Sequence, residues 1–160
     1  MDCQEYDLVA FGCSFTYGHG LQDCIGEDGV SNGPTPSVLA WPNQLKTLCN
    51  FKTVDNQSEP GASNKIITKR IIEYKKYTKK SFVVIQWSNF DRHTIFLAKD
   101  NIKRIHMMPN FLSDIMPKDF WQSHSQNSSF NPKEYKEIIK MYYGYYHHEF
   151  DVYFNNIIKL

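Results

Sequence analysis

Residues 9–20 read VAFGCSFTYGHG, an apolar run that halts at Gly12 and places a serine two positions on. The run from Tyr6 to Gly12 is apolar but for Asp7, the pattern of a central parallel strand buried on both faces. A hydroxyl just past such a strand has two uses. Ser14 can cap a helix, since serine is a preferred cap. It can also be a nucleophile, held where the strand breaks into a turn.

The pattern around this stretch repeats. Phe51 to Asp55 reads as a second short strand and Phe82 to Trp87, FVVIQW, as a third. A helix is expected from Trp41-Pro42 to about Cys49, with proline at its first position. A second runs from a cap at Ser63 or Asn64 through Tyr77, with Ile66, Ile67, Ile71, Tyr74 and Tyr77 on one side. Alternation of strand and helix argues for an α/β fold, a parallel sheet wrapped by helices. Residues 18–40, rich in Gly, Asn, Ser, Asp and Pro, read as a long loop, which in a compact domain is often functional or disordered.

Beyond the third strand the character changes. HTIFLAKDNIKRIHMMP, residues 93–109, reads as a hairpin turning at Lys99-Asp100-Asn101 and inserted after that strand. Residues 109–131 are irregular and polar. NPKE then supplies an Asn131 cap, Pro132 in the first turn and Glu134 at the capping-box position. The helix it opens carries Tyr135, Ile138, Ile139, Tyr142, Tyr145, Tyr146, Phe150, Tyr153 and Ile157 at three- and four-residue spacing. That spacing is the mark of core packing rather than of a platform for stacking bases.

The whole chain sets bounds on function. Its 160 residues suit a single domain, 1–160, with a real core. A net charge of +1 leaves no electrostatic footprint for nucleic acid or an acidic membrane, so neither is an expected partner. No stretch reaches the roughly eighteen apolar residues of a membrane span, and the acidic start MDCQEYD is no secretory signal, so a cytoplasmic location is expected. Cys3, Cys13, Cys24 and Cys49 form no Cys-x-x-Cys pair and have no histidine at metal-finger spacing. Free thiols are expected, and no metal site.

Three strand ends remain: Gly12-Cys13-Ser14, Asn56 through Gly61, and Trp87-Ser88-Asn89. In an open parallel sheet, ligands sit outside the carboxyl ends of the strands. A hydroxyl that attacks a carbonyl creates a negative oxygen, which needs preorganised donors. Glycine lets a backbone N–H approach and asparagine offers an amide.

FGCSFTYG, NQSEPGASN and VVIQWSNFDR, in this order and each after an expected strand, resemble the three N-terminal blocks of the SGNH (GDSL-like) hydrolase family. The likeness covers about the first ninety residues. It is nearest the branch with G-C-S-F-T, often found in phage and bacterial genomes, which would make the chain bacterial or virus-encoded. The resemblance implies a three-layer, flavodoxin-like sheet and a serine esterase or acyl hydrolase working without a cofactor. Its substrate would be a small-molecule or carbohydrate ester. Ser14 would be the nucleophile, with its own N–H, the Gly61 N–H and the Asn89 amide as oxyanion donors. His19, in the loop after the nucleophile, and Arg92, just past Asn89, could touch substrate.

Two departures stand out. Cys13 replaces the family's usual aspartate. The last block, Asp-x-x-His, which supplies the general base, has no counterpart: no aspartate lies three residues before a histidine. In the family that block follows two further strands, so a C-terminally incomplete fold is expected. The alternatives are a relative that only binds a small ligand or glycan, and a flavodoxin-like module whose first turn holds a phosphate.

Overall fold

The computed structural model describes residues 3–26, 29, 33–89, 92–97, 100–107 and 130–144. They fall in two compact units, Met1–Phe90 and Asp91–Leu160.

The first unit is built on β1 (Asp7–Phe11), β2 (Thr53–Asn56) and β3 (Ser81–Ile85). The order is β2-β1-β3, and both pairings of β1 are parallel. Leu8 stands opposite Val54 on one side and Phe82 on the other. β1 takes the middle because Leu8, Val9, Ala10 and Phe11 are apolar on both faces, and all four are buried. The first strand is thus central and flanked in parallel by the second and third, the order its sequence predicts.

Helices cover the sheet. α1 is Ser14–Tyr17, α2 Trp41–Cys49 and α3 Asn64–Glu73. Leu8 packs with Cys3 and Phe51, joined by Leu45 and Cys49 of α2. Phe11, on the other face of β1 by the two-residue alternation, meets Tyr74 edge-on at 5.7 Å and Tyr77 at 6.4 Å. From β1 the chain moves one way to β2, then back across β1 to β3. Right-handed crossovers in opposite directions place α2 and α3 on opposite faces.

Several boundaries differ from those expected. α3 stops at Glu73 rather than Tyr77, because Tyr74 turns extended (φ −65°, ψ 121°). This brings both tyrosine rings to Phe11, while the Tyr74 hydroxyl donates to Asp55 at 2.8 Å and that of Tyr77 to the Ile71 carbonyl at 2.9 Å. Trp41, not Pro42, opens α2, with Ala40 as its cap. β3 ends at Ile85, opposite Phe11, where its partner strand also ends. Although apolar, β3 leaves Phe82, Val83 and Ile85 exposed. Among the described residues it has a neighbour on one side only.

The second unit pairs β4 (His93–Leu97) with β5 (Asp100–Met107) as an antiparallel hairpin forming its own sheet. Asp100 and Asn101 belong to β5 rather than to the turn, and Leu97 pairs with Asp100 across an irregularity that follows Phe96. The last described helix, α4, spans residues 132–144. Its start is the capping box its sequence predicts. Asn131 Oδ1 accepts from the Lys133 and Glu134 N–H groups, and Glu134 Oε2 accepts from the Asn131 N–H. Tyr135, Ile139 and Tyr143 of α4 close over Ile105 and Met107 of β5, so these tyrosines serve packing. The expected extension of this helix to Ile157, and the polar stretch up to residue 129, lie outside the described residues.

Candidate functional site

All three expected site residues follow the carboxyl ends of neighbouring parallel strands. Ser14 comes after β1, Gly61 after β2 and Asn89 after β3. Chain direction alone therefore sends the three segments to one edge of the sheet. In an open parallel sheet that is the edge at which ligands sit.

Ser14 is the first residue of α1, not its cap. The cap position belongs to Cys13, whose side chain makes no capping bond. The Ser14 hydroxyl makes no hydrogen bond among the described residues, whereas its carbonyl accepts from the N–H groups of Gly18 and His19 at 3.0 and 2.9 Å. α1 ends at Gly18, in the left-handed region at φ 88°. A side chain there would also stand 2.4 Å from the Ser37 Cβ.

Asn56 links the end of β2 to this turn. Its Nδ2 donates to the Thr16 carbonyl at 2.7 Å, while its Oδ1 accepts from the Ser58 hydroxyl and N–H. The Glu59 N–H donates to the Gly12 carbonyl at 3.2 Å, laying the second segment against the first. Arg70 of α3 pins this loop through Glu59, at 2.6 Å, and the Gln57 carbonyl. Gly61 has φ 77°, and a Cβ there would meet nothing within 4 Å. Backbone conformation, not crowding, calls for glycine at this position.

At the end of β3, the Gln86 N–H donates to the Phe11 carbonyl at 2.9 Å. Gln86 Oε1 accepts from the Thr16 hydroxyl at 2.6 Å and from Trp41 Nε1 at 3.0 Å. One side-chain oxygen thus joins α1, α2 and the residue that follows β3. Ser88 is buried, and its N–H donates to Asn64 Oδ1 at the start of α3. Asn89, next along, is exposed, and its amide has no hydrogen bond among the described residues. Sequence reasoning missed Thr16, Trp41, Asn56, Asn64 and Gln86. The available signal was Gln86, an amide inside the otherwise apolar FVVIQW.

The long loop is anchored close by. The Asp23 carboxylate accepts from the Ser37 hydroxyl at 2.5 Å and from the N–H groups of Val38 and Leu39. The Ser37 hydroxyl, foremost, holds the Asp23 carboxyl below its ordinary range. The Tyr17 hydroxyl donates to the Gly33 carbonyl at 2.6 Å, and burial raises this phenol. His19 is exposed just past α1, and Arg92 lies in the second unit, just before β4. The four cysteines are free. Among the described residues no group of three His, Cys, Asp or Glu side chains is placed to hold a metal, and no helix is long and apolar enough to cross a membrane.

No family model, curated protein or solved structure matches this chain.

Proposed function

We propose that the first unit is a hydrolase-like domain of the SGNH (GDSL-like) type, with Ser14 as nucleophile towards an ester. The observation that carries this reading is the parallel β2-β1-β3 order, which is also the order in which a flavodoxin-like sheet begins. In support, Ser14, Gly61 and Asn89 each follow one of these strands, and the cap position of α1 belongs to Cys13 rather than Ser14.

The chemistry follows from these groups. Ser14 Oγ attacks the ester carbonyl carbon and gives up its proton to a base. The tetrahedral oxyanion takes hydrogen bonds from the N–H groups of Ser14 and Gly61 and the Asn89 amide. Collapse expels the alcohol, which takes up a proton, and water then releases the acid from the acyl-serine. The base is the weak link. The Asp-x-x-His block is absent, and His19 is the one histidine of residues 1–90. Without a positioned base, oxyanion donors and binding leave about a 10³–10⁴-fold advantage over water. Slow hydrolysis is therefore expected from these 160 residues taken alone; the second reading is a relative that only binds a small ligand or glycan.

Labelling with a fluorophosphonate, followed by mass spectrometry of the peptide around Ser14, tests the nucleophile. Wild-type chain should carry one adduct on Ser14, and Ser14→Ala should carry none. An adduct that persists in Ser14→Ala removes the chemistry from this residue, with Cys13 the next to examine. No adduct in wild type, with an uncharged ester still bound, decides for the second reading.

A further inference from the structure

Trp41 Nε1 can only donate, so the Gln86 oxygen at 3.0 Å must be the amide's acceptor and not its nitrogen. The Thr16 hydroxyl, 2.6 Å from that same oxygen, must then donate as well. Two donors from two helices fix which way the Gln86 carboxamide faces. Its oxygen is spent inwards. Its Nε2, with two N–H bonds, has no hydrogen bond among the described residues and is not a buried orphan. Gln86 is the residue after Ile85, where β3 ends, and its side chain reaches α1 two residues past Ser14, at Thr16. Thr16 is fully buried, so the clamp is rigid on one side.

We infer that Gln86 is a substrate-binding residue, its Nε2 a preoriented donor for an uncharged oxygen of the bound ester, such as a carbonyl or ether oxygen. The inference rests on the reading that this edge of the sheet receives an ester. A neutral amide suits such a partner. It offers direction without charge, loses little water on binding, and being clamped has little rotamer freedom left to lose. Thr16 and Trp41 are its positioning residues, acting on substrate only through Gln86.

The experiment titrates the ¹⁵N-labelled full chain with triacetin, an uncharged triester, and follows side-chain amide signals by NMR while acetate release is measured on the same samples. The Gln86 NH₂ pair, identified by its loss in Gln86→Glu, should shift on titration, in wild type and in Ser14→Ala alike. Gln86→Glu should weaken triacetin binding about tenfold, the worth of one neutral hydrogen bond. Trp41→Phe leaves the amide free to turn over and should weaken binding several-fold with the fold intact; it decides the matter if Gln86→Glu fails to fold. A Gln86 pair that stays still at saturation, or unchanged affinity in Trp41→Phe, overturns the inference. Ser14-dependent acetate release without a Gln86 shift sinks this inference and leaves the hydrolase reading standing. A Gln86 shift without Ser14-dependent release does the reverse.

Discussion

A Cβ on Gly12 would lie 2.0 Å from Thr16 Oγ1 and 2.6 Å from Thr16 Cβ. Glycine at the end of β1 is what lets the first turn of α1 fold back over the strand and carry the Thr16 hydroxyl to Gln86. Gly12→Ala should therefore cost about 1–3 kcal/mol by overpacking, read as a lower urea midpoint. Adding Thr16→Ala should restore only part of the loss, because the Thr16 Cβ itself is in the way. Full recovery in the double variant would place the clash elsewhere.

Asn56 faces the Thr16 carbonyl with a donor and Ser58 with an acceptor. Asn56→Asp keeps the shape but sets an acceptor against an acceptor. It should cost about 1–3 kcal/mol near neutral pH, the penalty for leaving buried partners unpaired. Protonation restores a donor and the folded state favours it, so the gap to wild type should narrow as the pH falls from neutral and close by about 4, the ordinary carboxyl range. A pH-independent gap would remove the Thr16 contact from the explanation.

Gly61 and Asn89 separate backbone from side-chain donors. Gly61→Ala keeps the N–H and meets open space, so its expected cost is backbone strain of about 1 kcal/mol at φ 77°. Asn89→Ala removes the amide, and Ser14-dependent ester hydrolysis should drop about 10²–10³-fold with melting unchanged. Equal losses of rate in the two variants would tell against the assigned roles.

Burial pushes the Tyr135 phenol up to about 12, while its hydroxyl donates to the His106 carbonyl at 2.7 Å. The folded state keeps a proton that the unfolded chain releases near pH 10. This contribution to stability is whole below about pH 10 and is lost as the pH climbs towards 12. Tyr135→Phe should flatten that alkaline decline in the second unit, at the cost of one hydrogen bond. Tyr74, pushed up to about 12 by burial and then by its bond to Asp55, gives the first unit the same weakness. Unfolding curves at pH 9 and pH 11 check both.

Local chemistry was legible where neighbours in sequence decide the outcome. Asn131 and Glu134 close their capping box within one turn, and the apolar β1 run called for the centre of a sheet. Boundaries set by distant residues were not legible. α3 ends early because Tyr74 and Tyr77 reach Phe11 and Asp55, contacts that no periodicity encodes. β3 reads as a buried strand, yet leaves Phe82, Val83 and Ile85 exposed, since burial depends on which neighbours the sheet supplies.

The sequence by itself determined the alternation of strands and helices and put serine, glycine and asparagine after successive strands. Those features depend on residue type and spacing along the chain. Only the tertiary structure decided that Cys13, not Ser14, occupies the cap position, and that Gln86 is held between Thr16 and Trp41. A hydrogen bond between residues seventy positions apart has no local signature. It exists because parallel pairing sets the end of β3 beside the end of β1, and because Gly12 leaves room for Thr16.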